Sequence, residues 1–173
     1  MIQIVYDPIV PKEVMAKWVI DRLGDEELHS VERLGNYVAI GVLKDKKPVC
    51  VVIYNFFRPL PYGNDMHAII ASENPSWCLP GVLRELFRYP FEHAGCERLT
   101  AVIRDGNSRS LKLCQGLGFR KEGVLRRAYN GKTNAILIGM LKSECKWLHR
   151  GHKRVERPNG KKERLYADAA GSC

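Results

Sequence analysis

The segment Asn107–Arg127, NSRSLKLCQGLGFRKEGVLRR, contains the pattern that decides the fold. Asn107 is suited to be a helix N-cap, because its side-chain oxygen can accept a free backbone N–H of the first turn. One apolar helix face consists of Leu111, Leu113, Cys114 and Leu117. Gly116 and Gly118 end the helix, since glycine adopts positive φ without a Cβ clash. The segment therefore predicts a short helix, a tight turn, and a strand that begins as Phe119 enters the core.

The rest of the chain alternates between strand-like and helix-like patterns. Runs rich in β-branched and aromatic residues predict strands at Ile2–Tyr6, Tyr37–Leu43, Val49–Phe57, Met66–Ser72, Leu99–Arg104 and Ala135–Leu141. A polar turn at Lys44–Lys47 predicts that the two longest runs form a hairpin. Apolar residues at helical spacing predict a helix from Pro11 that Gly24 ends, and another over Leu79–Ala94 that kinks or stops at Pro90. Residues 25–36 form either a short helix or a loop.

The order N-x-x-S-x-x-L-x-x-x-L-G-F-x-x-E-G-x-x-R, which begins at Asn107, resembles the late motif of GNAT-fold N-acetyltransferases. It most resembles the branch that acetylates ribosomal-protein N-termini and its uncharacterised, often phage-borne relatives. The resemblance covers residues 1–148. It implies a mixed α/β fold in which helices flank a central twisted, mostly antiparallel sheet with a splayed strand pair. It also implies acetyl-CoA as co-substrate, an amine acceptor and a homodimer.

In this family a glycine-rich loop before a helix holds the CoA pyrophosphate on backbone N–H groups, an arrangement that the helix dipole favours. The matching loop here is Ser76–Val82, and the residues assigned to the cofactor are Trp77, Cys78, Leu79, Gly81 and Val82. The loop departs from the family pattern. One glycine of the motif remains, its basic residue is missing, and Pro80 removes a donor. Arg84 can add a positive charge. Alternatively, the loop is a plain connection and CoA binding is weak or lost.

Two further groups of residues match the cofactor contacts of the family. Asn107 and Ser110 match polar positions that approach the pantetheine and phosphate arm, although helix capping also explains them. Ile70, Ala71 and Ser72 match the strand whose backbone pairs with the pantetheine amides. A backbone N–H there would polarise the thioester carbonyl, as an oxyanion hole does.

Acetyl transfer to an amine needs a base for the amine proton and an acid for the leaving thiolate. Candidate bases near the splayed strand are Glu73, His67 and Asp65. Many relatives place an acidic tyrosine where this chain has Cys114, which acts as the acid, forms an acyl intermediate, or is simply a buried thiol. Tyr129 is the other candidate acid. Each of these residues also has a structural explanation, as a surface, core or strand-end side chain.

The chain is basic, with a formal net charge of +9 over 173 residues. Residues 149–173 contain seven basic and three acidic residues and are predicted to be a flexible tail beside the single domain 1–148. The tail, together with Lys121, Arg126 and Arg127, predicts either an acidic protein or nucleic-acid partner, or a solvated basic surface. Cys145, His149 and His152 are too few ligands for a convincing metal site, so no metal is expected.

The six cysteines are scattered and form no C-x-x-C pair, which predicts reduced, mostly buried thiols. No apolar run approaches the roughly 20 residues that span a bilayer, so no membrane association is expected. The N-terminal MIQIVY does not resemble a signal peptide, and we expect a cytoplasmic protein.

Two hypotheses of different classes follow. In the first, the protein is an acetyl-CoA-dependent N-acetyltransferase acting on a protein N-terminus, a lysine or a small amine by direct attack in a ternary complex. In the second, a catalytically degraded protein of the same fold binds nucleic acid or an acidic protein. The N-x-x-S…LGF helix favours the first, and the altered phosphate loop favours the second.

Overall fold

The computed structural model describes residues 1–23, 30–61 and 63–148. A single sheet is formed by seven strands: β1 Ile2–Tyr6, β2 Tyr37–Lys44, β3 Lys47–Arg58, β4 Asn64–Ser72, β5 Cys96–Arg104, β6 Arg120–Tyr129 and β7 Thr133–Leu141. Three helices, α1 Lys12–Leu23, α2 Pro80–Arg88 and α3 Ser108–Leu117, connect parts of the sheet. The predicted mixed α/β fold is confirmed.

The strands are ordered β1-β2-β3-β4-β5-β7-β6 across the sheet. All neighbours are antiparallel except β4 and β5, which are parallel. The predicted hairpin joins β2 to β3, and Asp45 and Lys46 have φ values of 50° and 64° in its turn. Positive φ at both central residues matches the right-handed twist of the flanking strands, as in a type I′ turn.

Each face of the sheet is covered by its own apolar cluster. On one face, Met15, Ala16 and Val19 of α1 pack with Val51 and Ile53 of β3. On the other face, α2 and α3 contribute to the larger cluster, which contains Trp77, Leu83, Phe91, Leu99 and Ile138 among its fully buried members. Because side chains alternate along a strand, β3 and β4 supply residues to both clusters.

The second predicted helix is shorter than its apolar pattern. Regular α-helix ends at Arg88, and a single wide turn of the π type, Tyr89–His93, follows it. Pro90 explains this ending, because it has no N–H to donate to the preceding turn. The apolar residues beyond it, among them fully buried Phe91, still pack in the core.

Several predictions concern residues at the edges of the described ranges. Val31–Leu34 form a short 3-10 turn, whereas residues 25–29 of the predicted helix-or-loop, and Gly24 at the predicted end of the first helix, lie outside the described residues. The basic tail, with His149 and His152, also lies outside them. All five described cysteines are free and four are buried. Within the described ranges, every helix is too short or too polar to cross a bilayer.

Candidate active site

Strands β4 and β5 begin side by side and then separate. Their ladder runs from the pair Asn64–Cys96 to the pair His67–Thr100, although β4 continues to Ser72 and β5 to Arg104. Within these two described strands, the backbone of residues 68–72 therefore has no partner in β5. Backbone N–H and C=O groups that face such a gap are available to a ligand.

A buried carboxylate holds the two strands together just before they separate. Asp65 is 2% exposed, and its oxygens accept hydrogen bonds from Thr100 Oγ1 at 2.9 Å and from the Met66 N–H at 2.9 Å. Arg58 Nη2 donates to Asp65 Oδ2 at 3.0 Å, and Arg98 Nε lies 3.5 Å from Oδ1. Asp65 was a candidate base in the sequence, but these four neighbours give it a structural role in joining β4 to β5.

The network extends from β5 over β7 to β6, at the edge of the sheet. Arg98 Nη2 donates to Glu122 Oε2 at 2.6 Å. The Glu122 carboxylate lies directly over Gly139 of β7, where a Cβ would collide with it. Because Gly139 has no side chain, Glu122 has room to bond Arg98, which in turn lies beside Asp65.

A cavity of about 570 Å³ lies at the gap between β4 and β5. Its wall is formed by Leu23, Asn55, Phe56, residues 67–70, residues 101–107, Ser110, Cys114 and Tyr129. The wall includes Cys114 and Ala101 from the α2/α3 cluster and Ile69, which packs against the α1 cluster. The cavity therefore connects the two faces of the sheet, with α3 at one end and the C-terminus of α1 at the other.

At one end, the first turn of α3 forms as predicted. The Asn107 side chain accepts a hydrogen bond from the Ser110 N–H at 3.1 Å, and both residues belong to the cavity wall. Gly118 ends the helix with φ 116°, and the Phe119 N–H donates to the Cys114 carbonyl at 3.0 Å. This is the hydrogen-bond pattern of a glycine-terminated helix.

Cys114 lies between this helix end and the sheet. It is 5% exposed and contributes to the cavity wall. Burial raises the pKa of its thiol to about 11, because the thiolate is poorly solvated there. The group is therefore a protonated thiol at neutral pH, which suits a proton donor and is a poor nucleophile.

At the other end of the cavity, the wall includes the imidazole of His67 of β4. Burial lowers its pKa from the usual 6.5, and the nearby Asp65 carboxylate opposes part of that effect. The imidazole is thus neutral at physiological pH and can accept a proton. The Phe56 ring lies edge-on to it at 5.5 Å between centroids. Tyr129, at the end of β6, belongs to the same cavity wall.

Glu73 is placed differently from His67. It follows the end of β4, outside the cavity wall, and its Oε1 accepts a hydrogen bond from Arg22 Nε at 2.6 Å. Its backbone carbonyl accepts one from Arg109 Nη2 at 3.3 Å. Because its carboxylate is paired with Arg22, Glu73 joins α1 to the end of β4, whereas His67 lies in the cavity wall.

The residues assigned to the pantetheine strand are brought to the cavity only in part. Ile70 belongs to the wall, together with Ala68 and Ile69, which the sequence did not single out. Ala71 packs in the α1 cluster, and Ser72 pairs with Cys50 of β3. The gap begins earlier in β4 than the motif match predicted.

The phosphate loop has lost more donors than the sequence indicated. The Cys78 and Leu79 N–H groups donate to the carbonyls of Pro75 and Trp77, at 3.0 and 2.7 Å. Pro80 begins α2 without an N–H. Gly81 and Val82 are left as donors in the first turn of α2, because the Leu83 N–H already bonds the Leu79 carbonyl.

Two side chains of this region make contacts within the protein. The Trp77 ring is fully buried, so it packs in the core and cannot contact a ligand at the loop surface. Arg84, the proposed replacement cation, donates from Nε to the Leu148 carbonyl at 3.4 Å and lies 3.8 Å from Glu85. Leu79 is 48% exposed, and burial raises the pKa of Cys78.

Sequence reasoning missed Asn55 and Phe56 of β3. Asn55 is 2% exposed, belongs to the cavity wall and lies directly opposite His67 in the β3–β4 ladder. Phe56 has φ 50° at a break in that ladder. The signal was an amide inside the apolar run Val49–Phe57, where a buried polar group needs a partner.

Comparison with solved structures places this architecture among acetyltransferases. The chain is similar to the ribosomal-protein-S5-alanine acetyltransferase from Vibrio fischeri, with a TM-score of 0.61 and 15% identity over 84% of this chain and 95% of that one. A mutant of spermidine N-acetyltransferase from Vibrio cholerae gives a TM-score of 0.59 and 13% identity, over 85% and 96% of the two chains.

A GNAT-family acetyltransferase from Streptococcus pneumoniae gives a TM-score of 0.59 and 17% identity, over 82% of this chain and 99% of that one. No protein-family model and no curated protein sequence matches the chain. The likeness rests on structure at low identity, and it shows that the chain has the fold of the GNAT acetyltransferases.

Proposed function

We propose that the protein is an acetyl-CoA-dependent N-acetyltransferase that acetylates a primary amine by direct attack in a ternary complex. The observation that carries this proposal is the cavity through the sheet gap. It has the capped first turn of α3 at one end and a neutral, half-buried imidazole at the other. An acyl donor and an amine can therefore approach each other from opposite faces of the sheet.

The residues present fit the acyl arm of acetyl-CoA better than its phosphates. The side of the β4 backbone that faces the gap at residues 68–70 could pair with the pantetheine amides, and Asn107 and Ser110 of the same wall could contact the arm. The pyrophosphate would be held by the N–H groups of Gly81 and Val82 at the start of α2. When bound, acetyl-CoA supplies an acetyl group on a good leaving group.

The proton movements are assigned to His67 and Cys114. His67 accepts the proton that the amine loses, because burial keeps its imidazole neutral at physiological pH. The Cys114 thiol, protonated at this pH, donates to the leaving sulfur, with Tyr129 as the alternative donor in the same wall. A β4 backbone N–H facing the gap stabilises the carbonyl oxygen as it gains charge.

The cavity favours an α-amine over a lysine or a polyamine as acceptor. A free α-amine has a pKa of about 7.7–8.0 and a lysine about 10.4, so a weak base such as His67 suits the former. Among the described residues, the wall contains one carboxylate, Asp105, and one guanidinium, Arg104, so this part of the wall offers a polycation no net negative charge. The similar structure from Vibrio fischeri is named for acetylation of an alanine.

Mass spectrometry tests the proposal directly. The protein is incubated with acetyl-CoA and three amines at equal concentration: a peptide with a free N-terminal alanine, Nα-acetyl-lysinamide and spermidine. The acetylated product is detected directly, because an assay of the released CoA thiol would also register the cysteine thiols of the protein. We expect the peptide to be acetylated fastest. Acetylation of none of the three would reject the proposed reaction.

The alternative proposal is a binding protein of the same fold, and the depleted donors of the phosphate loop favour it. Its partner would be nucleic acid or an acidic protein on the basic surface, where Lys121, Arg126 and Arg127 are exposed. Salt-sensitive association with a DNA duplex, combined with no affinity for acetyl-CoA, would favour this alternative.

A further inference from the structure

Asn55 is a buried amide to which the proposed reaction gives no role. Its Nδ2 donates to the Leu34 carbonyl at 3.2 Å, and its Oδ1 has no hydrogen-bond partner among the described residues. Buried side-chain oxygens are nearly always hydrogen-bonded, so an unpartnered one in a cavity wall points to a donor on a ligand.

The orientation of the amide is fixed by its neighbour. Only the nitrogen of a carboxamide can donate to a carbonyl, so the contact with Leu34 leaves the oxygen as the free atom. The side chain is 2% exposed and cannot turn to solvent for a partner. Asn55 Oδ1 is therefore a buried hydrogen-bond acceptor of fixed orientation, in a residue that belongs to the cavity wall.

Asn55 lies beside His67, the proposed base. Asn55 and His67 are directly opposite in the ladder, and side chains so placed have Cβ atoms about 4.5–5.5 Å apart. The ladder breaks after Asn55, where Phe56 adopts φ 50° and turns its ring toward the imidazole. A bulge that re-aims side chains beside a cavity is a common feature of functional sites.

We infer that Asn55 is a positioning residue that selects primary amines, its Oδ1 accepting one N–H of the acceptor while His67 takes the other proton. This inference rests on the proposed acetyl transfer. The amine lone pair forms the N–C bond, the C–S bond breaks, one amine proton passes to His67, and the thiolate gains a proton from the thiol donor. A secondary amine has one N–H and cannot serve both residues.

Three substitutions separate positioning from folding. Asn55→Leu and Asn55→Ala remove the side-chain oxygen that accepts the hydrogen bond. Asn55→Asp keeps an oxygen at this position but loses the N–H that donates to the Leu34 carbonyl. Each variant is assayed by mass spectrometry with alaninamide and with N-methylalaninamide. Thermal melting reports whether each variant is folded, and titration with acetyl-CoA reports whether its acetyl-CoA site is intact.

We expect the wild-type protein to prefer alaninamide, and Asn55→Leu to lower kcat/KM for it about tenfold, the loss expected for one hydrogen bond. The rate with N-methylalaninamide should change much less, so the preference between the two amines collapses. Asn55→Asp should keep most of the preference. Affinity for acetyl-CoA should stay within about twofold of wild type in all three variants.

Other outcomes reject the inference in distinguishable ways. Equal losses for both amines, with Asn55→Asp behaving like Asn55→Leu, would show that the amide serves folding through Leu34. A wild-type protein that binds acetyl-CoA but does not prefer alaninamide, or acetylates neither amine, would remove Asn55 as a selector. A wild-type protein that does not bind acetyl-CoA would instead reject the proposed function, and the inference with it.

Discussion

At the scale of single residues, the account depends on the protonation state of His67. Burial disfavours the imidazolium, and the Arg58 and Arg98 guanidiniums disfavour it further, whereas the Asp65 carboxylate favours it. The net effect lowers the pKa below 6.5, so the neutral form persists to lower pH than in a free histidine. As pH falls through this lowered pKa, the base becomes protonated and activity is lost.

The pH dependence of kcat/KM checks this sign. We expect an acid limb with its midpoint below pH 6.5, once the ionisation of the acceptor amine has been measured separately and divided out. His67→Ala should remove that limb and lower kcat/KM by about 10²–10⁴-fold, the usual contribution of a general base. His93 lies outside the cavity wall, so His93→Ala is the matched control and should keep the acid limb and the wild-type kcat/KM. If the acid limb were unchanged in His67→Ala, another residue would be the base.

Cys114 distinguishes direct attack from a covalent mechanism. With a pKa of about 11, roughly one thiol in 10⁴ is ionised at pH 7, too few for efficient nucleophilic attack. Incubation with acetyl-CoA should therefore leave Cys114 unmodified in peptide mass spectra at every time point before the amine is added. An acetyl group found on Cys114 within the turnover time would establish an acyl-enzyme instead.

At the scale of elements, a network around Asp65 joins β4 to β5 just before the two strands separate. Gly139→Ala should push the Glu122 carboxylate away from Arg98 and weaken that network. We expect the free energy of unfolding to fall by about 1 kcal/mol, the net worth of one partly exposed charged hydrogen bond. This corresponds to a melting temperature about 2–4 °C lower in a domain of this size.

Gly123→Ala, in the neighbouring strand β6, is the control for this prediction. A Cβ at Gly123 meets no heavy atom within 4 Å, so its melting temperature should not fall in the same way. Equal destabilisation in both variants would mean that glycine in these strands matters for backbone reasons, and that Glu122 does not act through Arg98.

The first turn of α2 gives a prediction about the altered phosphate loop. Pro80→Ala returns one N–H to the start of the helix, where the dipole favours an anion. Affinity for acetyl-CoA should rise about fivefold or more, as expected for one hydrogen bond to a charged group. Affinity for acetyl-pantetheine, which lacks the pyrophosphate, should stay the same. An equal gain for both ligands would place the effect outside the phosphate site.

At the scale of the whole molecule, the domain is packed up to Leu148. Trp147 Nε1 donates to the Leu117 carbonyl at 2.6 Å, and Cys145 and Leu148 are buried. Removal of residues 149–173 should therefore leave the melting temperature unchanged. It also removes a net charge of +4, which leaves +5, so any association with DNA should weaken and become less sensitive to salt. A large loss of stability would show that the tail is part of the fold.

Much of this architecture was predictable because it is encoded locally. The Asn107 cap, the Gly118 turn and the end of α2 near Pro90 each follow from one residue's backbone chemistry. The site was less predictable because it depends on contacts distant in sequence. The local sequence does not show that Arg22 bonds Glu73, that Trp77 is buried, or that Asn55 lies opposite His67.

Calorimetric titration of the full-length protein with acetyl-CoA, with desulfo-CoA as the non-reactive control, tests the central claim most directly. The account predicts micromolar binding of both ligands at one site per chain, because the sheet gap and the first turn of α2 still offer backbone donors. Absence of binding at millimolar concentrations of either ligand would contradict it, and would show that the fold no longer serves acetyl transfer.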